Sequence, residues 1–82
     1  MNIPDTRVNS VRFLRDEAAK VKKRPHQLKF SAKHVSSAIG GYAGTLGKVA
    51  DEVAADLSAM GIPCRYYRNR KPTVFVLDLE RQ

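Results

Sequence analysis

The chain has 82 residues, 43% of them hydrophobic, which is enough for one small domain with a single core. Its net charge of +7 at pH 7 and its pI of about 10.0 favour a polyanionic partner such as nucleic acid. A single cysteine, with no secretory leader and no apolar run of about 18 residues, argues against a disulfide scaffold and a membrane span. We therefore expect a reduced, cytoplasmic protein with no membrane partner.

The basic charge is concentrated towards the two ends of the chain. Residues 1–33 carry nine Lys or Arg against three Asp or Glu, and residues 61–82 carry five against two. Residues 34–60 carry one basic side chain against three acidic ones. The basic excess therefore flanks an acidic middle segment.

The N-terminal part of the chain predicts a flexible terminus followed by a helix. We expect residues 1–5 to be flexible and residues 6–82 to form a single domain. From about Thr6 to Lys23, four apolar residues recur on one helical face and two more lie at its margins. The face residues are Val11, Leu14, Ala18 and Val21, and the marginal ones are Val8 and Phe13.

A basic cluster lies at the C-terminal end of this helix, just before Pro25 ends it. Its members are Lys20, Lys22, Lys23 and Arg24. Cations at this end of a helix interact favourably with its dipole and need no ligand. The cluster therefore has two interpretations, a dipole partner or a phosphate contact, and the sequence leaves both open.

The segment 27–30 alternates polar and apolar residues, as a short strand does. Leu28 and Phe30 point to the same side, so that side is expected to face the core. A strand of about four residues is not stable alone. We therefore expect it to pair with strands from the C-terminal part of the chain.

The segment from Ser31 onwards predicts a short helix and then a glycine-rich corner. Ser31 stands where its hydroxyl can cap the helix N-terminus, and Gly40 ends the helix. The inward face of this helix is expected to carry Val35, Ala38 and Ile39. The corner runs from Gly40 to Gly44 and is longer than the usual three or four residues.

A longer amphipathic helix follows the corner and ends before Gly61. Its apolar stripe consists of Leu46, Val49, Ala50, Val53, Leu57 and Met60. The opposite face carries Lys48 together with Asp51 and Glu52, so its formal charge is −1. Gly61 follows as a typical stop signal with positive φ.

Residues 62–68 and 73–80 predict a β-hairpin with a basic tip at residues 69–72. One register makes a whole face of the hairpin apolar, whereas a slip of one residue spoils it. In that register the pairs are Arg68 with Thr73, Tyr66 with Phe75, Cys64 with Leu77 and Ile62 with Leu79.

The other face of the hairpin is unusually apolar for a solvent side, because Val76 and Val74 lie opposite Arg65 and Tyr67. The first helix or a second subunit is expected to cover part of it. Together with Val8 and Phe13 on the first helix, this surface predicts a homodimer.

The predicted order, α-β-α-α-β-β, resembles that of winged helix-turn-helix domains over nearly the whole chain. The segment FSAKHVSSAIG and the basic hairpin after the long helix are the residues that carry the resemblance. It implies an α+β fold of three helices, a short strand and a C-terminal β-hairpin wing. It also implies that residues Thr45 to Ala59 form the recognition helix and that Arg68 to Lys71 form the wing tip, which contacts the minor groove or the DNA backbone.

We expect a duplex DNA-binding protein, nucleoid-associated, that acts in transcription regulation or as an architectural factor and holds DNA mainly by its phosphates. The candidate contact residues are Lys33, Thr45, Lys48, Arg65, Arg68, Arg70 and Lys71. The alternative is a winged-helix interaction module that docks a protein through its third helix. RNA is the less expected ligand, because the register turns Tyr66 and Phe75 inward and leaves Tyr67 outward.

The sequence offers little for catalysis or metal binding. His26, His34 and Cys64 lie far apart and show no metal-ligand spacing, so we expect no metal and no cofactor. No nucleophile motif or phosphate-binding loop is present, so we expect no enzymatic activity. Cys64 is interpreted as a small inward hydrophobe.

Overall fold

The computed structural model describes residues 2–21 and 26–79, which form an α+β domain. In these ranges the elements follow the predicted order of helix, strand, two helices and two strands. They are α1 (Ile3–Lys20), β1 (Gln27–Ser31), α2 (Ala32–Ala38), α3 (Ala43–Ala59), β2 (Cys64–Tyr67) and β3 (Val74–Asp78). The strands form an antiparallel sheet in the order β1-β3-β2. None of the described helices is both long and apolar enough to cross a lipid bilayer.

Helix α1 begins at Ile3, three residues before the predicted start at Thr6. Asn2 is the cause, because its side-chain oxygen accepts a hydrogen bond from the Asp5 N–H at 2.8 Å. Pro4 is tolerated in the first turn, where its missing N–H is not needed. Part of the segment expected to be flexible is therefore helical.

Helix α1 ends at Lys20, whereas the sequence predicts a helix to Lys23. Val21 has an extended backbone with ψ of 117°, so the helical path stops there. The predicted stop at Pro25 and most of the basic cluster, Lys22, Lys23 and Arg24, lie outside the described residues.

The predicted hairpin register is confirmed. Cys64 lies opposite Leu77 and Tyr66 lies opposite Phe75. Strands β2 and β3 are shorter than predicted, and Glu80 lies outside the described residues. Strand β1 pairs along the other side of β3, which is therefore the central strand of the three.

The helices pack on one face of this sheet and form the core with it. The fully buried side chains of this core include Leu14 of α1, Val35 of α2, Leu46 and Leu57 of α3, and Phe75 and Leu77 of β3. Leu28 and Phe30 of β1 pack against the core from the same side, as predicted. Each fully buried large apolar side chain contributes about 1.5–3 kcal/mol relative to an exposed one, so this shared core stabilises the fold.

Two residues expected to face the core are exposed instead. Met60 follows the last residue of α3 and is 53% exposed, and Ala38 is the last residue of α2. Both residues lie at the end of a helix, where the backbone leaves the helical path. The side chains of Ala38 and Met60 therefore do not continue the buried stripe of their helix. In α2 the buried face is turned towards Ser36, whose hydroxyl donates to the Lys33 carbonyl at 3.0 Å.

The corner between α2 and α3 is shorter than predicted. It comprises residues 39–42, because Ala43 and Gly44 belong to the first turn of α3. Gly40 has a φ of 72°, a left-handed conformation that glycine adopts without strain. Ser31 caps α2 as predicted, since its hydroxyl accepts from the His34 N–H at 3.0 Å.

The apolar surface left over for association differs from the expected one. Val76 is only 6% exposed, and it lies between Lys29 and Arg65 on the neighbouring strands. The ring of Phe13 packs edge-on against Phe30, with centroids 5.9 Å apart. Of the two residues at the margin of α1, Val8 is the exposed one, at 54%.

Two buried hydroxyl groups of α1 provide a matched stability test. Ser10→Ala should raise the free energy of unfolding by about 1 kcal/mol, because the buried Ser10 hydroxyl has no hydrogen-bond partner among the described residues. Thr6→Val should lower it by about 1 kcal/mol, because the Thr6 hydroxyl donates to the Asn2 carbonyl at 2.8 Å. Urea unfolding followed by circular dichroism measures both. Equal destabilisation by the two substitutions would contradict this account of Ser10.

Candidate nucleic-acid interface

Arg68 joins the basic loop between β2 and β3 to helix α3. One terminal nitrogen of its guanidinium donates to the Gly47 carbonyl at 3.1 Å, and the other donates to the Asp51 carboxylate at 2.9 Å. The same guanidinium lies over the ring of Tyr66, 5.3 Å from its centroid. Exposed ion pairs add little stability, but three contacts on one side chain restrict where the loop can lie. The loop is therefore held against the N-terminal half of α3.

Arginines from elsewhere in the chain compensate the acidic charge of α3. Asp51 is paired with Arg68, and Asp56 accepts two hydrogen bonds from Arg7 at 2.7 and 2.8 Å. The hydrogen bond from Arg7 lowers the pKa of Asp56 below its usual range. With Arg68 added, the α3 face that carries Lys48, Asp51 and Glu52 becomes neutral rather than negative.

The remaining α3 candidates lie at its N-terminal end. Lys48 is exposed and Thr45 is half-buried, and their spacing of three residues puts them on one side of the helix. The helix has no side-chain cap at its N-terminus, so its first N–H groups keep their capacity to bind an acceptor. Lys48 makes no ion pair with any described residue, so its charge is available to a ligand.

The other predicted residues divide into separate groups. Arg65 lies on the sheet face that points away from the helices, and Arg70 bends over the Tyr67 ring on that same face, 3.9 Å from its centroid. Lys71 is exposed in the loop. Lys33 is exposed on α2, where it lines a surface cleft with His34, Ser37 and Ala38. The seven candidates therefore do not form one cluster, and Arg65 in particular is turned away from α3.

Two residues that shape the surroundings of α3 are missing from the sequence-based set. Arg7 is 49 residues from Asp56 along the chain, and nothing in the local sequence signals their pairing. Tyr42, the residue that precedes α3, is 75% exposed. A lone aromatic residue inside a glycine-rich corner is a signal that sequence reading could have used for Tyr42.

The environment of Cys64 is that of an inert thiol. Burial raises the pKa of Cys64 to about 12, so the reactive thiolate is scarce at neutral pH. Ser58 lies beside it, where the Ser58 hydroxyl accepts from the Cys64 N–H at 3.2 Å and donates to the Cys64 carbonyl at 3.3 Å. No group of three or more His, Cys, Asp or Glu side chains in ranges 2–21 and 26–79 is arranged to hold a metal ion.

Comparison of the chain with protein-family models, with curated proteins and with solved structures gives no match. Function is therefore inferred from charge, exposure and geometry. The surface formed by α3 and the docked loop is the best candidate by these criteria. Its cations are exposed, they lie together, and the negative charge of α3 beside them is compensated by arginines.

The raised pKa of Cys64 predicts a loss of stability at high pH. An unfolded thiol ionises near pH 9, whereas the folded one ionises at about 12. Between these two pH values the Cys64 thiol is protonated in the folded state and ionised in the unfolded state. The stability that the protonated thiol contributes is therefore complete below pH 9 and is lost as the pH rises to 12. In urea unfolding, the stability difference between the wild type and Cys64→Ala should shrink by up to about 1.4 kcal/mol per pH unit over this range. A difference that does not change with pH would contradict the buried-thiol assignment.

Proposed function

We propose that this chain is a winged helix-turn-helix protein that binds duplex DNA, with α2 and α3 as the helix pair and the β2–β3 loop as the wing. The element order and the sheet order β1-β3-β2 support this proposal. The corner of residues 39–42 also supports it, because its length agrees with the three to four residues typical of the motif.

The docking of Arg68 on α3 is the observation that carries the proposal. It brings a basic loop and the exposed side of the N-terminal half of α3 to one surface. Arg70 and Lys71 lie two and three residues after Arg68, within about 10 Å along the chain. Winged-helix binding of DNA needs a basic loop beside an exposed helix, because the helix enters the major groove while the loop contacts the DNA backbone.

In this proposal Arg68 positions the loop, while other residues contact phosphate. The guanidinium of Arg68 is already bound to Asp51 and to the Gly47 carbonyl, so it is less available to DNA than the sequence suggests. The phosphate contacts are assigned to Lys33, Thr45, Lys48, Arg70 and Lys71, which are exposed or half-buried. Because the α3 face is neutral overall, affinity depends on phosphates and sequence specificity is low. Such binding suits a nucleoid-associated regulator or architectural factor.

Neutralising the loop tests the proposal. Arg70→Gln with Lys71→Gln should weaken binding to duplexes of any sequence and reduce the slope of log K against log salt by about 1.8, or 0.9 per lost phosphate contact. The control is Lys20→Gln on α1 with Lys29→Gln on β1, which removes the same charge from exposed positions outside this surface. Fluorescence anisotropy at several salt concentrations measures both. Equal slopes in the two double variants would remove the loop from the mechanism.

The same titration with Asp51→Asn should move affinity in the opposite direction. The amide oxygen still accepts a hydrogen bond from Arg68, so the loop stays docked, but one carboxylate that repels phosphate is lost. We expect duplex binding to tighten several-fold and to become more salt-dependent. Asp16→Asn on α1 changes the net charge equally and should have a smaller effect, so an equal effect of both would show that only total charge matters.

We further propose that the homodimer forms through the cleft between α1 and α3. Val8 and Met60, both more than half exposed, line this cleft of about 420 Å³ beside Ala59. The hairpin face is a weaker candidate because Val76 is covered. A two-fold interface here hides apolar area that a small domain leaves exposed, and it doubles the DNA-contacting surface.

Sedimentation of the free protein at tens of micromolar, about the range where a modest interface is populated, should give a species heavier than the 9.2 kDa monomer. Val8→Asp should dissociate it because the substitution places a charge in an apolar contact. Val74→Asp on the hairpin is the control and should leave the dimer intact. A single monomeric species in the wild type would exclude the dimer, and dissociation by Val74→Asp alone would move the interface to the hairpin.

A further inference from the structure

The sheet face that points away from the helices, called here the outer sheet face, carries basic and apolar side chains in rows set by the strand register. Lys29, Val76 and Arg65 form one row across the three strands. Ser31, Val74 and Tyr67 form the next row. Strands lie about 4.8 Å apart, so Lys29 and Arg65 are attached about 10 Å apart on either side of Val76.

Val76 is the apolar residue at the centre of this face. It is almost fully buried, yet it does not belong to the core cluster between sheet and helices. The stems of Lys29 and Arg65 flank it in register and can cover it while their charged ends stay in water. Both cations are exposed, and neither makes an ion pair with a described residue. The row therefore presents two free positive charges above an apolar strip.

Tyr67 adds an aromatic surface next to this row. Its ring is half-buried on the sheet, and the Arg70 guanidinium lies 3.9 Å from the ring centroid. A cleft of about 430 Å³ opens beside Tyr67 and Arg65 and is also lined by Gln27 and Asp78. This volume lies within the range of about 300–1,000 Å³ that is usual for small-ligand sites.

We propose that the outer sheet face binds single-stranded DNA, with phosphates on Lys29 and Arg65 and an unpaired base stacked on Tyr67 in the place that the Arg70 guanidinium takes in the free protein. A positively charged track combined with an aromatic platform is the arrangement that holds single strands without regard to sequence. A duplex hides the faces of its bases and offers this flat surface only phosphates, so it makes no use of Tyr67 and the Val74–Val76 strip. A protein partner is the competing occupant, because Tyr and Arg are also enriched in protein interfaces, and it predicts no response of this face to oligo(dT).

The choice of DNA rather than RNA rests on the proposed function. Arg68 lies on the α3 side of the hairpin and Arg70 on its outer side, so the two surfaces share one loop. A nucleic acid held at α3 can therefore continue around the loop tip onto the outer sheet face. The single-strand contacts themselves depend only on the residues of this face.

The first arm of the test measures fluorescence anisotropy with labelled oligo(dT) of about 12 nucleotides, with oligo(rU) of equal length and with a DNA duplex. Tyr67→Leu should weaken oligo(dT) binding about tenfold, whereas duplex binding should change far less, because Arg70 keeps its charge when it loses its contact with the ring. Tyr67→Phe keeps the ring and should behave as the wild type. Unchanged oligo(dT) binding by a folded Tyr67→Leu protein would overturn the proposal, and tighter wild-type binding of oligo(rU) would overturn the assignment to DNA.

The second arm separates this site from the duplex surface. Arg65→Gln should reduce the salt slope for oligo(dT) by about 0.7 and leave the slope for duplex unchanged, while Lys48→Gln should do the reverse. Backbone amide shifts of Lys29, Arg65 and Tyr67 should move when oligo(dT) is added to the ¹⁵N-labelled wild type, which needs no variant. Shifts confined to α3 would overturn the proposal. A wild-type protein that binds oligo(dT) as expected but does not bind the duplex would refute the proposed function and still support the outer-face site.

Discussion

The position of β3 between β1 and β2 is the constraint on which the rest of this domain depends. Phe75 and Leu77 of β3 face the helices, and Val74 and Val76 alternate with them towards the other side. Because side chains alternate along a strand, a slip of one residue would exchange the core with the outer sheet face. One pairing register therefore decides both the stability of the fold and which side chains are offered to a ligand.

Charge compensation by distant arginines is what makes an acidic helix compatible with a nucleic-acid surface. Arg7 on α1 and Arg68 in the loop each form an ion pair with one carboxylate of α3. Each pair is exposed and contributes little to stability. Their larger effect is on the electrostatic field around α3. Phosphates that approach its N-terminal half meet Lys48 and a neutralised Asp51, so Glu52 is the remaining open carboxylate of that face.

Much of the fold follows from the sequence, because the information is local. The stripe from Leu46 to Leu57 and the pairing of Cys64 with Leu77 follow from periods of 3.6 and 2, and the structure agrees with both. The errors fall at element ends such as Asn2 and Met60, where one side chain or one backbone angle decides the boundary. The candidate surface was less predictable. The register already placed Arg65 on the outer side of the hairpin, but nothing local indicated that Arg68 would dock on Gly47 and Asp51, 21 and 17 residues away along the chain.

The hydroxyl of Ser58 limits how the sheet can grow. Strand β2 lies at one margin of the sheet, where alternate residues turn their N–H and C=O away from β3. The Ser58 hydroxyl is hydrogen-bonded to both the N–H and the C=O of Cys64. In this four-residue strand, Tyr66 is then the residue whose outward N–H and C=O are left for another strand. An edge this short is a poor template for a strand from another molecule. A single side chain on α3 thus protects the β2 margin of the sheet from edge-to-edge pairing, while β1 forms the other margin.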